Sequence, residues 1–178
     1  FIESFRPKDK TYCILGNSDY YVAAHLAATL QKRSIKKPAI LLRNAIISTE
    51  LNGETITIAG IDDPIKKHDD LKLFNDLKNY PGFKLALIHS VLEFPDVETH
   101  NAHLILAGHT HGGQLNIFPE NIMLRWVRSA YKKKIKYLGG FHKEDSTWIN
   151  VSRGIGMSAL PLRFRSRPEI TILDLISS

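Results

Sequence analysis

The chain has 178 residues, 43% hydrophobic and 24% charged, which supplies apolar side chains for one substantial core and excludes a disordered chain. Its formal net charge of +6, from 24 Lys and Arg against 18 Asp and Glu, points to phosphate-bearing partners or an anionic surface. A lone Cys13 excludes an internal disulfide, and no apolar run approaches the roughly 20 residues that span a bilayer, so a soluble chain in a cytoplasmic setting is expected.

An apolar run over 11–15 ends at Gly16, and 22–32, rich in Ala and Leu, predicts a helix after a short loop. Residues 34–38 break that pattern. The segments 39–47 and 54–59 flank Asn52-Gly53, a strong hairpin signal, so an antiparallel pair is predicted there. Pro64 suits the first position of a helix behind a capping Asp63, and Leu71, Phe74, Leu77 and Lys78 keep helical spacing until Pro81-Gly82 ends it. Asp62 and Asp63 are therefore read first as capping groups. Residues 84–89 and 103–107 are buried-strand candidates that both run into histidine-bearing loops. Strands alternating with helices predict an α/β domain with its site at the carboxyl ends of strands. Near the C-terminus, 148–151 and 169–175 predict strands with no long helix between them, which suggests a second, mixed sheet.

The segment 123–138 sets Leu124, Val127 and Tyr131 at helical spacing among Arg125, Arg128, Lys132, Lys133, Lys134 and Lys136. It reads either as a solvated helix face packed on the core or as a surface for anionic headgroups, and Trp126 tips the balance toward a peripheral contact with the membrane. Few aromatic side chains interleave with its lysines, which argues against nucleic acid.

The densest chemistry lies in Gly108-His109-Thr110-His111-Gly112-Gly113-Gln114. In extended backbone, residues i and i+2 point the same way, so His109 and His111 can reach one small volume, while the glycines leave room for an ion or an anion. Three loops follow three apolar strands: Gly16-Asn17-Ser18-Asp19, His89-Ser90 and Gly108-His109-Thr110-His111. Imidazole nitrogens suit zinc, iron or manganese, and an Asn oxygen is a tolerable neutral ligand. A neutral set leaves a deficit, because two divalent ions about 3.5–4 Å apart repel and need carboxylates between or around them. His25, His68, His100, His103 and His142 show no paired ligand spacing and are read as surface or structural. Arg163, Arg165 and Arg167 can meet phosphates or serve only as solubilising charge, and Arg163 is taken as the candidate substrate-binding residue.

The order Gly-Asn-x-Asp at Gly16 to Asp19, a lone strand-end His89, then Gly-His-x-His at Gly108 to His111 resembles the motif order of the calcineurin-like metallophosphoesterases. Gly60-Ile61-Asp62-Asp63-Pro64, Gly108 to Gln114, and Pro161-Leu162-Arg163 with Pro168-Glu169-Ile170 resemble the bacterial, often membrane-associated branch. The resemblance implies a four-layer α/β/β/α sandwich and two divalent ions, manganese first, with iron or zinc as alternatives. It implies in-line attack on phosphorus by a metal-bound hydroxide. Asn17, His89 and His109 match ligands of one metal and His111 a ligand of the other, while Asn17, Ser18 and Asp19 occupy the family's catalytic loop. The family's upstream Asp-x-His and Gly-Asp, one Asp of which bridges the ions, do not occur before Gly16, so the expectation is a single domain over 1–178 that lacks its first strands.

Ser18 stands where the family has a histidine that approaches the substrate phosphate and assists the leaving group. Serine is no cationic acid at neutral pH, so acid assistance worth about 10²–10⁴-fold must come from elsewhere or be unneeded. A good leaving group reduces the need, which favours a pyrophosphate over an alkyl phosphomonoester. Among substrates of related proteins, UDP-2,3-diacylglucosamine of lipid A synthesis, a lipid-linked pyrophosphate at the inner face of the membrane, fits this and the basic face. The other readings are a broad-specificity phosphodiesterase or phosphatase and, because of Ser18, a non-catalytic metal-binding protein associated with the membrane.

Overall fold

A computed structural model describes residues 10–21, 39–63, 70–91, 101–119, 122–123, 125, 136–158 and 160–176. The helix expected at 22–32, the helix start expected at Pro64 and residues 124 and 126–135 of the basic segment lie outside them. Among the described residues no helix is long and apolar enough to cross a membrane.

The strands fall into two sheets. β1 (Thr11–Cys13) pairs in parallel with β2 (Ala39–Leu41). β3 (Ala45–Leu51), β4 (Glu54–Ile61), β5 (Phe83–Ile88), β6 (Leu104–Ala107), β7 (Gly140–Glu144) and β8 (Thr147–Val151) form the larger sheet in the order β3-β4-β5-β6-β8-β7. Its centre, β4, β5, β6 and β8, is parallel, and β3 and β7 close the edges antiparallel. Asn52 and Gly53 take φ of 53° and 85°, as the tight turn of the expected β3–β4 hairpin requires.

The single strand expected over 39–47 is two strands. Asn44 takes a φ of 44°, and its Oδ1 accepts the N–H groups of Asp62 and Asp70, each at 3.0 Å. The chain turns there, and the preceding half joins β1, with Leu42 N–H donating to Cys13 O at 2.8 Å. The C-terminal expectation changes too. β8 enters the main sheet between β6 and β7 instead of starting a second one, and 169–175 forms no strand. Its alternating Ile170 and Ile172 are exposed, and among the described residues no strand offers that segment a ladder.

Alternation sorts the side chains of the large sheet onto two faces. On one, Ala59, Ile61, Ile88, Ile105 and Val151 pack with Phe74 of α1 (Lys72–Asp76) and with Leu77 of the 3-10 turn that follows it, forming the buried core. Full burial of each of the larger side chains contributes about 1.5–3 kcal/mol. On the other face Gly60 lies under Leu42: a Cβ on Gly60 would sit 2.2 Å from the Leu42 Cβ, so only glycine lets the small sheet approach. Helix, six-stranded sheet and two-stranded sheet thus stack in that order, and the architecture is the α/β class expected.

Candidate metal centre

The candidate residues gather at the carboxyl ends of the parallel strands. The register Leu87↔Leu106 carries His89 beside Gly108, whose N–H donates to His89 O at 3.0 Å. Beyond it the backbone leaves extended geometry. His109 takes a φ of 69° and His111 a φ of 51°, and His111–Gly113 is a 3-10 turn, so the extended-backbone argument for joining the two rings does not hold. Left-handed φ at two non-glycine residues stores strain of about 1 kcal/mol or more each, and such strain persists where the surroundings fix it.

His109 has partners of a different kind. Its Nδ1 lies 2.9 Å from His89 Nε2, which lies 3.0 Å from Asn17 Oδ1. Gly16 permits this approach, because a Cβ there would fall 2.8–3.1 Å from three atoms of the His89 ring. Asn17 is carried by a closed loop in which Asp19 N–H donates to Gly16 O at 3.0 Å and Asp19 Oδ2 accepts Gly16 N–H at 2.8 Å. Asp19, expected among the catalytic residues, therefore turns its carboxylate to its own loop, and Ser18 is exposed at the tip.

Burial pushes His89 below the ordinary histidine range and His109 down to about 4, the neighbouring His89 adding to the effect on His109. Both rings are neutral at pH 7, the state a metal ligand needs. Among the described residues no three His, Cys, Asp or Glu side chains come close enough to hold an ion together, and the group that could join this histidine pair as a third donor is the Asn17 amide. Donors about 2.1 Å from a tetrahedral ion stand about 3.4 Å apart. The observed 2.9 and 3.0 Å spacings would need only a small outward spread, so two imidazoles and an amide oxygen fit one divalent ion.

His111 faces elsewhere. Its Nδ1 lies 3.2 Å from Gly156 O and 3.3 Å from Arg163 Nη2. If Nδ1–H donates to Gly156 O, the lone pair of Nε2 is left for a ligand, the arrangement usual for metal-binding histidine. Arg163, expected to meet substrate, is turned to the main chain: it donates to the carbonyls of Arg153 at 2.8 Å, Gly156 at 3.0 Å, Ser166 at 3.2 Å and His111 at 3.3 Å. Gln114 clamps the same region, its amide N–H groups meeting the carbonyls of Ser158 and Leu160 at 2.8 and 2.9 Å. Beside His89 and Gly108 runs a groove of about 550 Å³, lined by Leu87, Leu106, Ile155, Ile170 and Leu173 among others.

Two aspartates follow β4. Asp62, 2% exposed, pairs with Arg43 at 3.1 Å. Asp63 is fully buried, and its charge acts on both His89 and His109. The capping pattern before Pro64 concealed that position, although a carboxylate ending the strand beside one that ends in His89 was a usable signal. His103 and His142 are structural as expected: His103 Nδ1 accepts Lys84 N–H at 2.9 Å, and His142 stacks on Tyr137 at 3.8 Å. His25, His68 and His100 lie outside the described residues.

Two histidines and an asparagine at the strand ends of a mostly parallel sheet stand where α/β proteins gather their sites. The chain is 32% identical over 168 residues to YkuE, an uncharacterized metallophosphoesterase of Bacillus subtilis, a match covering 93% of this chain and 56% of YkuE. It is 26% identical over 171 residues to YkoQ, another uncharacterized metallophosphoesterase of that organism, covering 96% of this chain and 62% of YkoQ. A transmembrane protein with metallophosphoesterase domain from Danio rerio is 29% identical over 186 residues, covering 96% of this chain and 39% of that protein. The chain thus spans little more than half the length of these bacterial relatives. No protein-family model and no solved structure matches it. The similarities support the resemblance to the metallophosphoesterases, and the mixed central sheet is of the α/β class expected of them.

Proposed function

We propose that the protein is a metal-dependent phosphoester hydrolase with a dinuclear centre, Asn17, His89 and His109 serving one ion and His111 the other. The observation that carries this reading is that three separate loops bring His89 Nε2 to 3.0 Å from Asn17 Oδ1 and to 2.9 Å from His109 Nδ1. Similarity to proteins named metallophosphoesterases supports the reaction class. Bound divalent ions, manganese first, would supply positive charge that offsets the charge developing on a transferring phosphoryl group. The protein's own part is to orient: the Gly16 loop fixes Asn17, burial keeps both histidines neutral, and Arg163 pins the turn that carries His111.

Ser18 Oγ, exposed at the loop tip, can donate a hydrogen bond to a phosphate oxygen but carries no cationic proton. The leaving group must then depart without strong acid assistance, which favours a pyrophosphate. The basic segment 123–138 and the relative named as a transmembrane protein support a lipid-linked substrate at the inner membrane face, with UDP-2,3-diacylglucosamine as the specific proposal. Full-length protein loaded with manganese should release UMP from that substrate. Cleavage of bis(p-nitrophenyl) phosphate without UMP release would favour the broad phosphodiesterase, and cleavage of neither would favour the non-catalytic metal-binding reading that Ser18 raises.

A further inference from the structure

Near His111 the chain presents apolar side chains and arginines together at its surface. Leu160 and Leu162 are 55% and 58% exposed, and Ile117, Phe118 and Phe164 are exposed as well. Backbone bonds join the two stretches: Asn116 N–H donates to Phe164 O and Phe164 N–H to Gln114 O, each at 2.9 Å. The Gln114 amide occupies the main chain that carries the leucines. Its Nε2 donates to the carbonyls of Ser158, Leu160 and Leu162 at 2.8, 2.9 and 3.2 Å, and its Oε1 accepts Ser158 N–H at 2.7 Å. Leu160 N–H donates to Ser158 O at 2.6 Å, and Pro161 has no N–H to satisfy. These backbone groups are thus met from within, while the side chains of Leu160 and Leu162 face outward. The exposed Arg165 sets its guanidinium 5.5 Å from the Phe164 ring, and Arg167 is exposed two residues further on.

The charge around these side chains has one sign. Residues 155–168 carry Arg163, Arg165 and Arg167 and no Asp or Glu, and 114–136 carry six Arg and Lys against Glu120 alone. We propose that Leu160, Leu162 and Phe164, with Ile117 and Phe118, form a docking surface for an anionic bilayer, the apolar side chains entering the headgroup boundary while Arg165 and Arg167 meet lipid phosphates. Such a boundary takes up apolar side chains, attracts cations and penalises unpaired backbone groups, and this surface answers all three. A nucleic acid would use the arginines and leave the leucines in water. Arg163 Nη2 lies 3.3 Å from His111 Nδ1, so docking here sets the proposed metal centre against the lipid. That consequence alone rests on the hydrolase reading, which it deepens to a substrate presented at the bilayer.

A local probe tests the contact whatever else binds the full-length protein to membranes. Leu160→Cys, with Cys13→Ser and any other cysteine replaced by serine, carries an environment-sensitive fluorophore, and a control carries the same label at Lys78→Cys, exposed on the 3-10 turn after α1. Vesicles of phosphatidylglycerol and phosphatidylcholine in equal parts should shift the emission at residue 160 to the blue, and brominated acyl chains should quench it. The label at residue 78 should not respond, and phosphatidylcholine alone should give no shift. Arg165→Gln with Arg167→Gln should weaken the vesicle affinity about 10–30-fold, from about fivefold for each cation near an anionic leaflet. Leu162→Gln with Phe164→Gln should weaken it about tenfold or more. No shift with anionic vesicles, an equal shift with phosphatidylcholine alone, or a shift produced by an oligonucleotide without lipid would each overturn the docking surface. Insertion in a protein whose His89→Ala variant hydrolyses phosphodiesters at the wild-type rate would leave the surface standing and overturn the centre. Manganese-dependent hydrolysis without insertion would do the reverse.

Discussion

Gly16→Ala puts a methyl group where the His89 imidazole lies. The new Cβ would sit 2.8 Å from Cε1, 2.9 Å from Nδ1 and 3.1 Å from Nε2 of His89, against an ordinary contact of about 3.5–4.0 Å. Gly16 is not among the residues at positive φ, so alanine strains no backbone dihedral and the effect comes from this contact alone. The ring must retreat by about 0.5–1 Å. That same retreat opens the 3.0 Å contact to Asn17 and the 2.9 Å contact to His109. Overpacking costs about 1–3 kcal/mol, and the half-buried ring can yield toward solvent, which sets the expectation at about 1–2 kcal/mol. For a domain of this size that lowers the melting temperature by about 2–8 °C. The functional loss should exceed the structural one, since a misplacement of about 1 Å can cost on the order of 10²-fold. Manganese titration by calorimetry should show at least a tenfold weaker site. A Gly16→Ala protein with wild-type manganese affinity would refute the reasoning, because it would separate the His89 position from metal binding.

Acid should destabilise the metal-free protein in a defined window. His109 has a folded pKa of about 4, below its unfolded value near 6.5, so the unfolded chain takes the proton first. Stability is fully present above about 6.5 and is lost as pH falls toward about 4, by at most about 3 kcal/mol and less after solvent screening. Denaturant midpoints that stay flat between these pH values would contradict the burial of the histidine pair. Gly60→Ala drives a Cβ to 2.2 Å from that of Leu42 and should cost about 1–3 kcal/mol with little effect on metal affinity. Chemical denaturation reads the loss. Arg163→Ala frees the carbonyls of Arg153, Gly156, Ser166 and His111, so proteolytic cleavage within 153–166 should rise and stability should fall by about 1.5–3 kcal/mol. A raised KM with unchanged stability would instead return Arg163 to the substrate.

What could be read along the chain was what local chemistry decides. Asn52-Gly53 dictates its turn wherever it stands, Pro81-Gly82 follows the 3-10 turn that closes the helical run, and His89 follows an apolar run read as a buried strand. Errors arose where distant groups decide. The break at Asn44 is held by Asp62 and Asp70, far along the chain, so 39–47 reads as continuous. β8 joins the main sheet because β6 offers it a parallel edge, which no pattern within 147–151 reveals. The paired histidines were read with the period of a strand, yet the chain leaves extended geometry at His109, and the partner of His109 is His89, not His111. The burial of Asp63 was hidden by a local rule. Capping logic looks forward to Pro64, while Asp63 is buried at the end of a strand whose place is set by pairing with β5.

Hydrolysis of bis(p-nitrophenyl) phosphate by the full-length protein, stripped of metal and then titrated with manganese, bears most directly on the metal centre. Activity should rise to saturation with manganese and vanish on chelation. It should be lost in His89→Ala and in His109→Ala, with the fold retained in both variants by circular dichroism. Wild-type rates in either variant, or no manganese-dependent hydrolysis in the unaltered protein, would contradict a catalytic metal centre at these residues.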